Sequence, residues 1–189
     1  MKNKSLMLVP FIIFAVLCVF LLKGLFGNPK EIETGRLGQT MPAFNLPDLM
    51  DENKCWTEKD LLGEVYLLNV WGTWCPTCLI ELPYLTKLRG QGVKIIGLYY
   101  EQNYDADFGD VFDLPALQDE VKGMLSRTGD PYQFNILDLN RSLALDLGVS
   151  GAPEHFLVDK NGKIILHHTG DINERVWRAK FAPKLLELQ

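Results

Sequence analysis

Cysteine and histidine are scarce in this chain, which has four cysteines and three histidines among 189 residues. Four cysteines are too few for a small disulfide-stapled scaffold, and only Cys75 and Cys78 form a C-x-x-C pair. A structural zinc site normally needs two such pairs, or one pair with suitably spaced histidines, and no histidine here has that spacing. The sequence therefore predicts no metal site.

Positive charge is also in short supply. From Thr34 onward the chain has 15 Lys and Arg residues against 22 Asp and Glu, a net charge of −7 with histidine neutral. Nucleic acid is bound by neutralising phosphates with Lys and Arg, so an acidic body disfavours it. The same charge is compatible with a basic partner or with simple solubility. Nucleic acid is not a predicted partner.

Charge is absent from Leu6 to Leu22, a run of 17 residues interrupted only by Pro10. A helix of this length spans roughly 26 Å, the low end for the ~30 Å hydrocarbon layer, and extension past Lys23 would supply the difference. A cleaved signal peptide is the alternative, but the run ends without a small-x-small cleavage site. The sequence predicts residues 1–27 as a cytoplasmic N-terminus and transmembrane helix.

The lysines near this run predict its orientation. Lys2, Lys4 and the terminal amine precede it, whereas Lys23 and Lys30 follow it. The positive-inside rule then predicts a single-pass protein of the inner membrane with its C-terminal body in the periplasm. Residues 28–38 are predicted to be a tether, and residues 39–189 the folded domain.

Strand-like and helix-like segments alternate through this domain. A nearly continuous β-branched and aromatic run at 65–71 is typical of a strand buried on both faces. Leucines at helical spacing follow Cys75, and the pattern stops at Gly90. Strands are predicted at 42–46, 65–71, 93–99, 133–138, 155–158 and 163–168, and helices after 57, 75, 113, 140 and 173. This order predicts an α/β fold whose sheet has mixed strand direction.

The C-x-x-C pair directly follows the buried strand and opens a helix. Cys75 is thus expected at the helix N-terminus, where unpaired N–H groups and the helix dipole stabilise a thiolate. Cys78 is expected one turn inside, more buried and less ionised. This asymmetry suits disulfide exchange, in which Cys75 attacks and Cys78 resolves the mixed disulfide. Two packed core cysteines would not need Trp74 or Pro76 beside them.

Three segments together carry a family resemblance. They are N-V-W-G-T-W-C-P-T-C at 69–78, G-V-S-G-A-P-E at 148–154 and G-D-I-N-E-R-V-W at 170–177. With the N-terminal run and Pro42-x-Phe44, the whole chain resembles the thiol:disulfide interchange proteins of cytochrome c biogenesis, the DsbE/CcmG type. The resemblance implies a thioredoxin-like fold with an extra helix and strand, matching Leu114 to Asp138.

The resemblance also implies a task. It predicts a protein-disulfide reductase that keeps the haem-binding cysteines of apocytochrome c reduced for haem attachment. Its implied partners are apocytochrome c, other cytochrome c maturation proteins and a membrane thiol reductase that donates electrons. No cofactor is predicted beyond a redox-active Cys75–Cys78 disulfide. The alternatives are a general extracytoplasmic oxidant or isomerase, and an apocytochrome-binding chaperone that would tolerate loss of both thiols.

Several residues are candidates for substrate binding or for tuning the dithiol. Trp74 is expected to shield the cysteines and contact substrate, with Pro76 and Thr77 between them. The resemblance implies that Pro153 is cis and faces Cys75, and Ala152 is small enough to leave the thiolate accessible. The backbone of this loop would pair with an extended substrate segment.

Glu81 and Glu154 are the acids predicted near the dithiol. Unpaired carboxylates disfavour a nearby thiolate and oppose the helix dipole. The resemblance implies that such an acidic surround accompanies a reducing centre. An exposed helix position is the alternative for Glu81.

The chain departs from the family pattern at a few positions. His155 stands where Thr is more familiar, and it is a candidate to titrate near the site. His167 and His168 are predicted to be surface residues. Cys55 stands where a small polar residue is usual, which leaves an additional redox role open. The segment 101–113 has five acids and no Lys or Arg, and is either a solvated loop or a docking patch.

Overall fold

The computed structural model describes residues 9–25, 35–102, 104, 109 and 111–188. The chain divides into two compact units, Met1–Glu31 and Ile32–Gln189. The first unit contains helix α1, Val9–Leu25. Most of the predicted tether, at 28–34, lies outside the described residues, and a turn follows at 35–38.

Helix α1 contradicts the predicted transmembrane anchor. It has 17 residues and carries Lys23 in its last turn. Within the described ranges, no helix has both the length and the apolar character needed to cross a membrane. At 1.5 Å per residue α1 is about 26 Å long, short of the ~30 Å hydrocarbon layer. This finding contradicts the predicted single-pass anchor in the inner membrane.

A five-stranded mixed sheet forms the centre of the second unit. Its strands are β3 Tyr66–Trp71, β4 Ile95–Tyr99, β5 Asn135–Leu137, β6 Glu154–Val158 and β7 Ile164–Thr169. Their order in the sheet is β5-β4-β3-β6-β7. Strand β3 pairs in parallel with β4, and β4 with β5, whereas β3–β6 and β6–β7 are antiparallel. The predicted mixed direction is confirmed.

Strand β3 lies in the middle of the sheet, and all six of its residues are buried. Alternate side chains of a strand point to opposite faces. Leu67 and Trp71 therefore point into the core that also contains the apolar side chains of the helices after the C-x-x-C pair. Leu68 and Val70 point into a second core on the opposite face of the sheet. Asn69 points to the same face as Leu67 and Trp71, and it is the polar exception in an apolar strand.

The helices follow the predicted order. Helix α2, Pro76–Gly90, continues through Pro83, and α3, Leu114–Thr128, begins after Asp113, whose carboxylate accepts from Ala116 N at 3.0 Å. Helix α4 is Ser142–Leu147. The C-terminal helical segment consists of α5 (Glu174–Val176), a π-helical turn (Trp177–Phe181) and α6 (Ala182–Leu188). The helix and strand implied for 114–138 are thus present as α3 and β5.

The first predicted strand lies later than expected. Strand β1, Asn45–Pro47, pairs with β2, Cys55–Thr57, in a separate two-stranded sheet. Residues 40–41 run beside the β6–β7 turn instead, where Met41 N donates to Gly162 O at 2.7 Å. The alternation of apolar residues at 42–46 did not indicate which segment of the chain this stretch would pair with.

Candidate active site

Cys75 is the N-cap residue of α2, and Cys78 lies one turn inside the helix. The Cys75 backbone is extended, with φ −100° and ψ 101°, and its Sγ accepts from Cys78 N at 3.2 Å. The two residues form a disulfide, with their Cα atoms 5.3 Å apart. Cys75 is 3% exposed and Cys78 is fully buried. The geometry matches a thiol at a helix N-terminus with a second thiol beneath it.

The loop before β6 faces Cys75. The Ala152–Pro153 peptide bond is cis, as the resemblance implied, and the Ala152 carbonyl oxygen lies 3.4 Å from Cys75 Sγ. On the helix side, Pro76 and Thr77 are exposed. The structure thus brings these four predicted residues around the disulfide.

Trp74 is held against the end of β4. Its Nε1 donates to the Tyr100 carbonyl oxygen at 2.8 Å, and the two rings lie 5.0 Å apart. Gly72 makes this position possible, because a Cβ there would lie 2.2 Å from Trp74 Nε1. Trp74 is half-buried, so part of its ring is free to contact a bound molecule.

Glu154 is buried and organises the loop before it. Its Oε1 accepts from Ser150 N at 2.7 Å, Ser150 Oγ at 2.6 Å and Gly151 N at 3.1 Å. Its Oε2 lies 2.7 Å from His167 Nε2. Burial raises the pKa of Glu154, but the hydrogen bonds of His167 and Ser150 outweigh it and leave the pKa below its ordinary value.

These contacts correct the expectation of an unpaired carboxylate at 154. A carboxylate with four close polar partners is compensated locally, so Glu154 serves to hold the loop that carries Ala152 and Pro153. The sequence did not reveal this role, because the contact between Glu154 and His167 forms only when β6 and β7 pair as a hairpin.

Glu81 is also buried, so the alternative of an exposed helix position is wrong. Its Oε1 accepts from Asn69 Nδ2 at 3.0 Å, and its Oε2 accepts from Ile172 N at 2.9 Å. His155 Nε2 lies 3.2 Å from the same Oε2. Like Glu154, Glu81 is a compensated carboxylate and not an unpaired one.

The sequence analysis missed two residues, Asn69 and Tyr132, that belong to the polar contacts around Glu81 and His155. Asn69 lies opposite His155 in the β3–β6 register, and Tyr132 donates its hydroxyl to Asn69 Oδ1 at 2.6 Å. A single amide inside the apolar run at 65–71 was the available signal. Tyr132, in contrast, comes from before β5 and carried no local sign of this contact.

The prediction that His167 and His168 are surface residues is wrong. Both are buried, at 8% and 7% exposed. His167 stacks on Phe156 with ring centroids 4.5 Å apart, and His168 packs edge-on against Phe181 at 5.9 Å. Strand β7 is covered on both faces, which a short polar stretch at a strand end does not reveal.

The two other departures from the family pattern are Cys55 and the acidic segment. Cys55 is an exposed free cysteine on β2. In the acidic segment, Glu101 accepts from the Tyr99 hydroxyl at 3.0 Å, and that hydroxyl lies 3.1 Å from Thr73 Oγ1. Residues 103, 105–108 and 110 lie outside the described residues, so the choice between solvated loop and docking patch stays a prediction.

Comparison with known proteins agrees with this geometry. The Redoxin family model matches residues 36–182. The chain is 40% identical over 186 residues to the thiol:disulfide interchange protein DsbE of Pseudomonas aeruginosa, covering 98% of this chain and 96% of that protein. It is 41% identical over 186 residues to DsbE of Vibrio cholerae, with 96% and 94% covered.

Solved structures show the same fold at low sequence identity. A thio-disulfide isomerase from Thermus thermophilus has a TM-score of 0.58 and 21% identity, over 80% of this chain and 96% of that one. A secreted disulfide oxidoreductase of Mycobacterium tuberculosis has a TM-score of 0.56 and 17% identity, over 80% and 99%.

The fold of residues 36–182 is therefore thioredoxin-like, and the Cys75–Cys78 pair lies where a helix begins beside a central strand. Near-complete coverage of the curated relatives leaves no large segment of either chain unmatched. This chain belongs to the DsbE family of thiol:disulfide interchange proteins and is a protein-disulfide reductase.

Proposed function

We propose that this protein reduces disulfides in apocytochrome c so that haem can be attached to the freed cysteines. The observation that carries the proposal is the position of Cys75 as N-cap of α2, with Cys78 buried one turn inside. The helix N-terminus stabilises a thiolate at Cys75, so this sulfur is the attacking group. The apocytochrome substrate rests on the family resemblance.

The reaction proceeds in two exchanges. The Cys75 thiolate attacks one sulfur of the substrate disulfide, which breaks that bond, forms a mixed disulfide and releases one substrate thiolate. Cys78 then loses its proton, and its thiolate attacks Cys75 Sγ and releases the second substrate thiolate. Two electrons pass to the substrate, and the protein is left with the Cys75–Cys78 disulfide.

The loop at 150–153 offers backbone groups to the substrate. Ala152 O already lies beside Cys75 Sγ, and Glu154 fixes the preceding residues through Ser150 and Gly151. An extended segment next to the substrate cysteine would lie between this loop and the exposed rim of Pro76 and Thr77. Trp74 borders this space between the loop and the rim.

The oxidised protein must be reduced again before another cycle. A thiol reductase that attacks the Cys75–Cys78 disulfide supplies the two electrons, and the resemblance makes this donor a membrane protein. Other cytochrome c maturation proteins are proposed as further partners. The cysteine pair is the electron carrier in this mechanism, which calls for no added cofactor.

The test uses reduced full-length protein and an apocytochrome c oxidised at its C-x-x-C-H site. Wild type should restore two free thiols in the apocytochrome, Cys75→Ser should restore none, and Cys78→Ser should accumulate a mixed disulfide. Cys55→Ser is the matched control, because it removes an exposed thiol outside the pair and should behave as wild type. Haem attachment supported equally by a Cys75→Ser, Cys78→Ser double variant would instead show a chaperone.

A further inference from the structure

An exposed apolar groove lies between the segment after β4 and helix α3. Its apolar lining comes from Tyr104, Val111, Phe112 and Leu117, and its volume is about 390 Å³. Val111 is 93% exposed, and the rings of Tyr104 and Phe112 lie 5.4 Å apart. Single exposed apolar residues are common, but an exposed valine that borders a groove with two aromatic rings offers a surface to a partner.

The apolar groove begins beside the redox site. Strands β3 and β4 are parallel, so their carboxyl ends lie at one edge of the sheet, where α/β proteins bind ligands. Strand β3 leads to Cys75, and β4 leads to Glu101, which lines the groove. Trp74 Nε1 donates to Tyr100 O at 2.8 Å, which joins the residue before Cys75 to the residue before Glu101. A polypeptide that runs from Cys75 across Trp74 therefore reaches the groove.

A second contact connects the loop before Cys75 with the apolar groove. The Tyr99 hydroxyl donates to Glu101 Oε2 at 3.0 Å. This hydroxyl has a single proton, so Thr73 Oγ1, at 3.1 Å, donates to it in turn. Tyr99 is fully buried, which fixes the position of its hydroxyl. The Glu101 carboxylate is thereby held at the end of the groove that adjoins the cysteine pair.

Three carboxylates, those of Glu101, Asp113 and Glu120, border the apolar lining. The described residues that line the groove include no Lys or Arg. Asp113 accepts a hydrogen bond from Ala116 N at the start of α3, which leaves its negative charge in place, and Glu120 is exposed on the same helix. Negative charges that share one groove repel one another, and a cation that enters the groove relieves this repulsion.

We propose that the apolar groove docks a basic segment of the substrate protein, in which a Lys or Arg lies near the cysteine that Cys75 attacks. The stem of the basic side chain lies along Val111 and the rings of Tyr104 and Phe112, and its charged end reaches the carboxylates. The groove thus adds a determinant of substrate choice to the exchange reaction. This inference rests on the first exchange of the proposed function and applies to any disulfide substrate with such a segment.

The combination of apolar and acidic surface selects this kind of occupant. An apolar segment would leave the carboxylates without a cation, and an inorganic cation would leave Val111 uncovered. The described residues include no cluster of side chains that could hold a metal ion. Lys and Arg combine an apolar stem with a charged end, so they match both parts of the groove. The excess of Asp and Glu from Thr34 onward adds a longer-range attraction for a basic chain.

The experiment measures the reduction of disulfide peptides by the reduced full-length protein, which carries Cys18→Ser and Cys55→Ser so that only the cysteine pair reacts. Each peptide has an internal C-x-x-C disulfide and one lysine, which is moved residue by residue away from the cysteines. The reference peptide has glutamine in place of the lysine. At the best lysine position, reduction should be roughly threefold faster than for the reference, as expected for partly shielded ion pairs. Added salt should lower this ratio.

Substitutions in the groove should remove the preference for lysine. Glu120→Gln should lower the ratio of the two rates, and Glu120→Gln with Glu101→Gln should bring it close to one. The ratio is the readout because Glu101 adjoins the redox loop, and its substitution can change the reaction of both peptides alike. Asp119→Asn is the matched control for Glu120→Gln, since Asp119 is exposed on the same helix, pairs with Lys122 at 3.9 Å and does not line the groove. It should keep the wild-type ratio.

Three results would overturn the inference. These are a ratio of one at every lysine position, a wild-type ratio in the double variant, and an equal loss of the ratio in Asp119→Asn. Because the peptides replace apocytochrome, failure of the proposed substrate would leave these results unaffected. Failure to reduce any peptide, the reference included, would sink the first exchange and this inference with it.

A second measurement tests contact with the groove directly. Cys78→Ser traps a peptide on Cys75 as a mixed disulfide, and the amide NMR signals of Val111 and Phe112 should then move more with the lysine peptide than with the reference. Equal movement would contradict the proposal. Val111→Ser should also slow reduction of the lysine peptide. If it changes only the association of the free protein with itself, the groove binds a second copy of this chain, and the inference is wrong.

Discussion

Glu154 and His167 face each other across strands β6 and β7, with Oε2 and Nε2 2.7 Å apart in a site where both side chains are nearly fully buried. The other oxygen of Glu154 holds Ser150 and Gly151, so the pair fixes the loop that faces Cys75. A hairpin contact thereby determines the geometry of the redox site.

Glu154→Gln should destabilise the protein at neutral pH by about 1–3 kcal/mol, because it removes a charged partner from buried donors. The folded pKa of Glu154 is lowered, so its contribution is present above the unfolded value of about 4.3 and is lost as pH falls through the folded pKa. Denaturant unfolding of wild type and variant at several pH values measures this. The two stabilities should converge in acid, and a constant difference down to low pH would contradict the assignment.

Gly72→Ala should disturb Trp74, since the added Cβ would lie 2.2 Å from its Nε1. The ring must shift and give up its hydrogen bond to Tyr100, and a cost of about 1–3 kcal/mol is expected for overpacking. Disulfide reduction should slow as well. Thermal unfolding, Trp fluorescence and the reduction rate report the change.

Gly90→Ala is the matched control for that substitution, because a Cβ at the end of α2 meets nothing within 4 Å. It should leave the reduction rate and the Trp fluorescence as in wild type. Equal effects of the two substitutions would show that Trp74 is not the cause.

Alkylation should distinguish the two cysteines of the reduced pair. Cys75 begins α2, and Cys78 is fully buried, so iodoacetamide should label Cys75 much faster at neutral pH. Peptide mass analysis of a Cys55→Ser background avoids the exposed third thiol. Faster labelling of Cys78 would reverse the roles assigned to the two sulfurs.

Local sequence patterns were sufficient to predict much of the fold. The apolar run at 65–71 predicted β3, and the leucine spacing that stops at Gly90 predicted α2 and the position of Cys75 at its start. The predicted anchor failed because helix α1, with 17 residues and Lys23 in its last turn, does not have the length and apolar character of a membrane span.

The polar surroundings of the site could not be predicted in the same way. Glu81 reaches Ile172, and Asn69 reaches Tyr132, across 91 and 63 residues of sequence. Such contacts depend on how the sheet and helices pack, and a carboxylate on a helix has the same local pattern whether it is solvated or buried. His167 was placed at the surface for the same reason.

The reduction potential of the Cys75–Cys78 pair tests the central claim most directly. The full-length protein, with Cys18→Ser and Cys55→Ser, is equilibrated in glutathione or dithiothreitol redox buffers, and the oxidised fraction is measured by Trp fluorescence and confirmed by thiol trapping. A reductase should have a potential near that of thioredoxin, about −270 mV, and be mostly reduced only in strongly reducing buffers. A potential of about −120 to −180 mV, typical of disulfide oxidants and isomerases, would contradict the account.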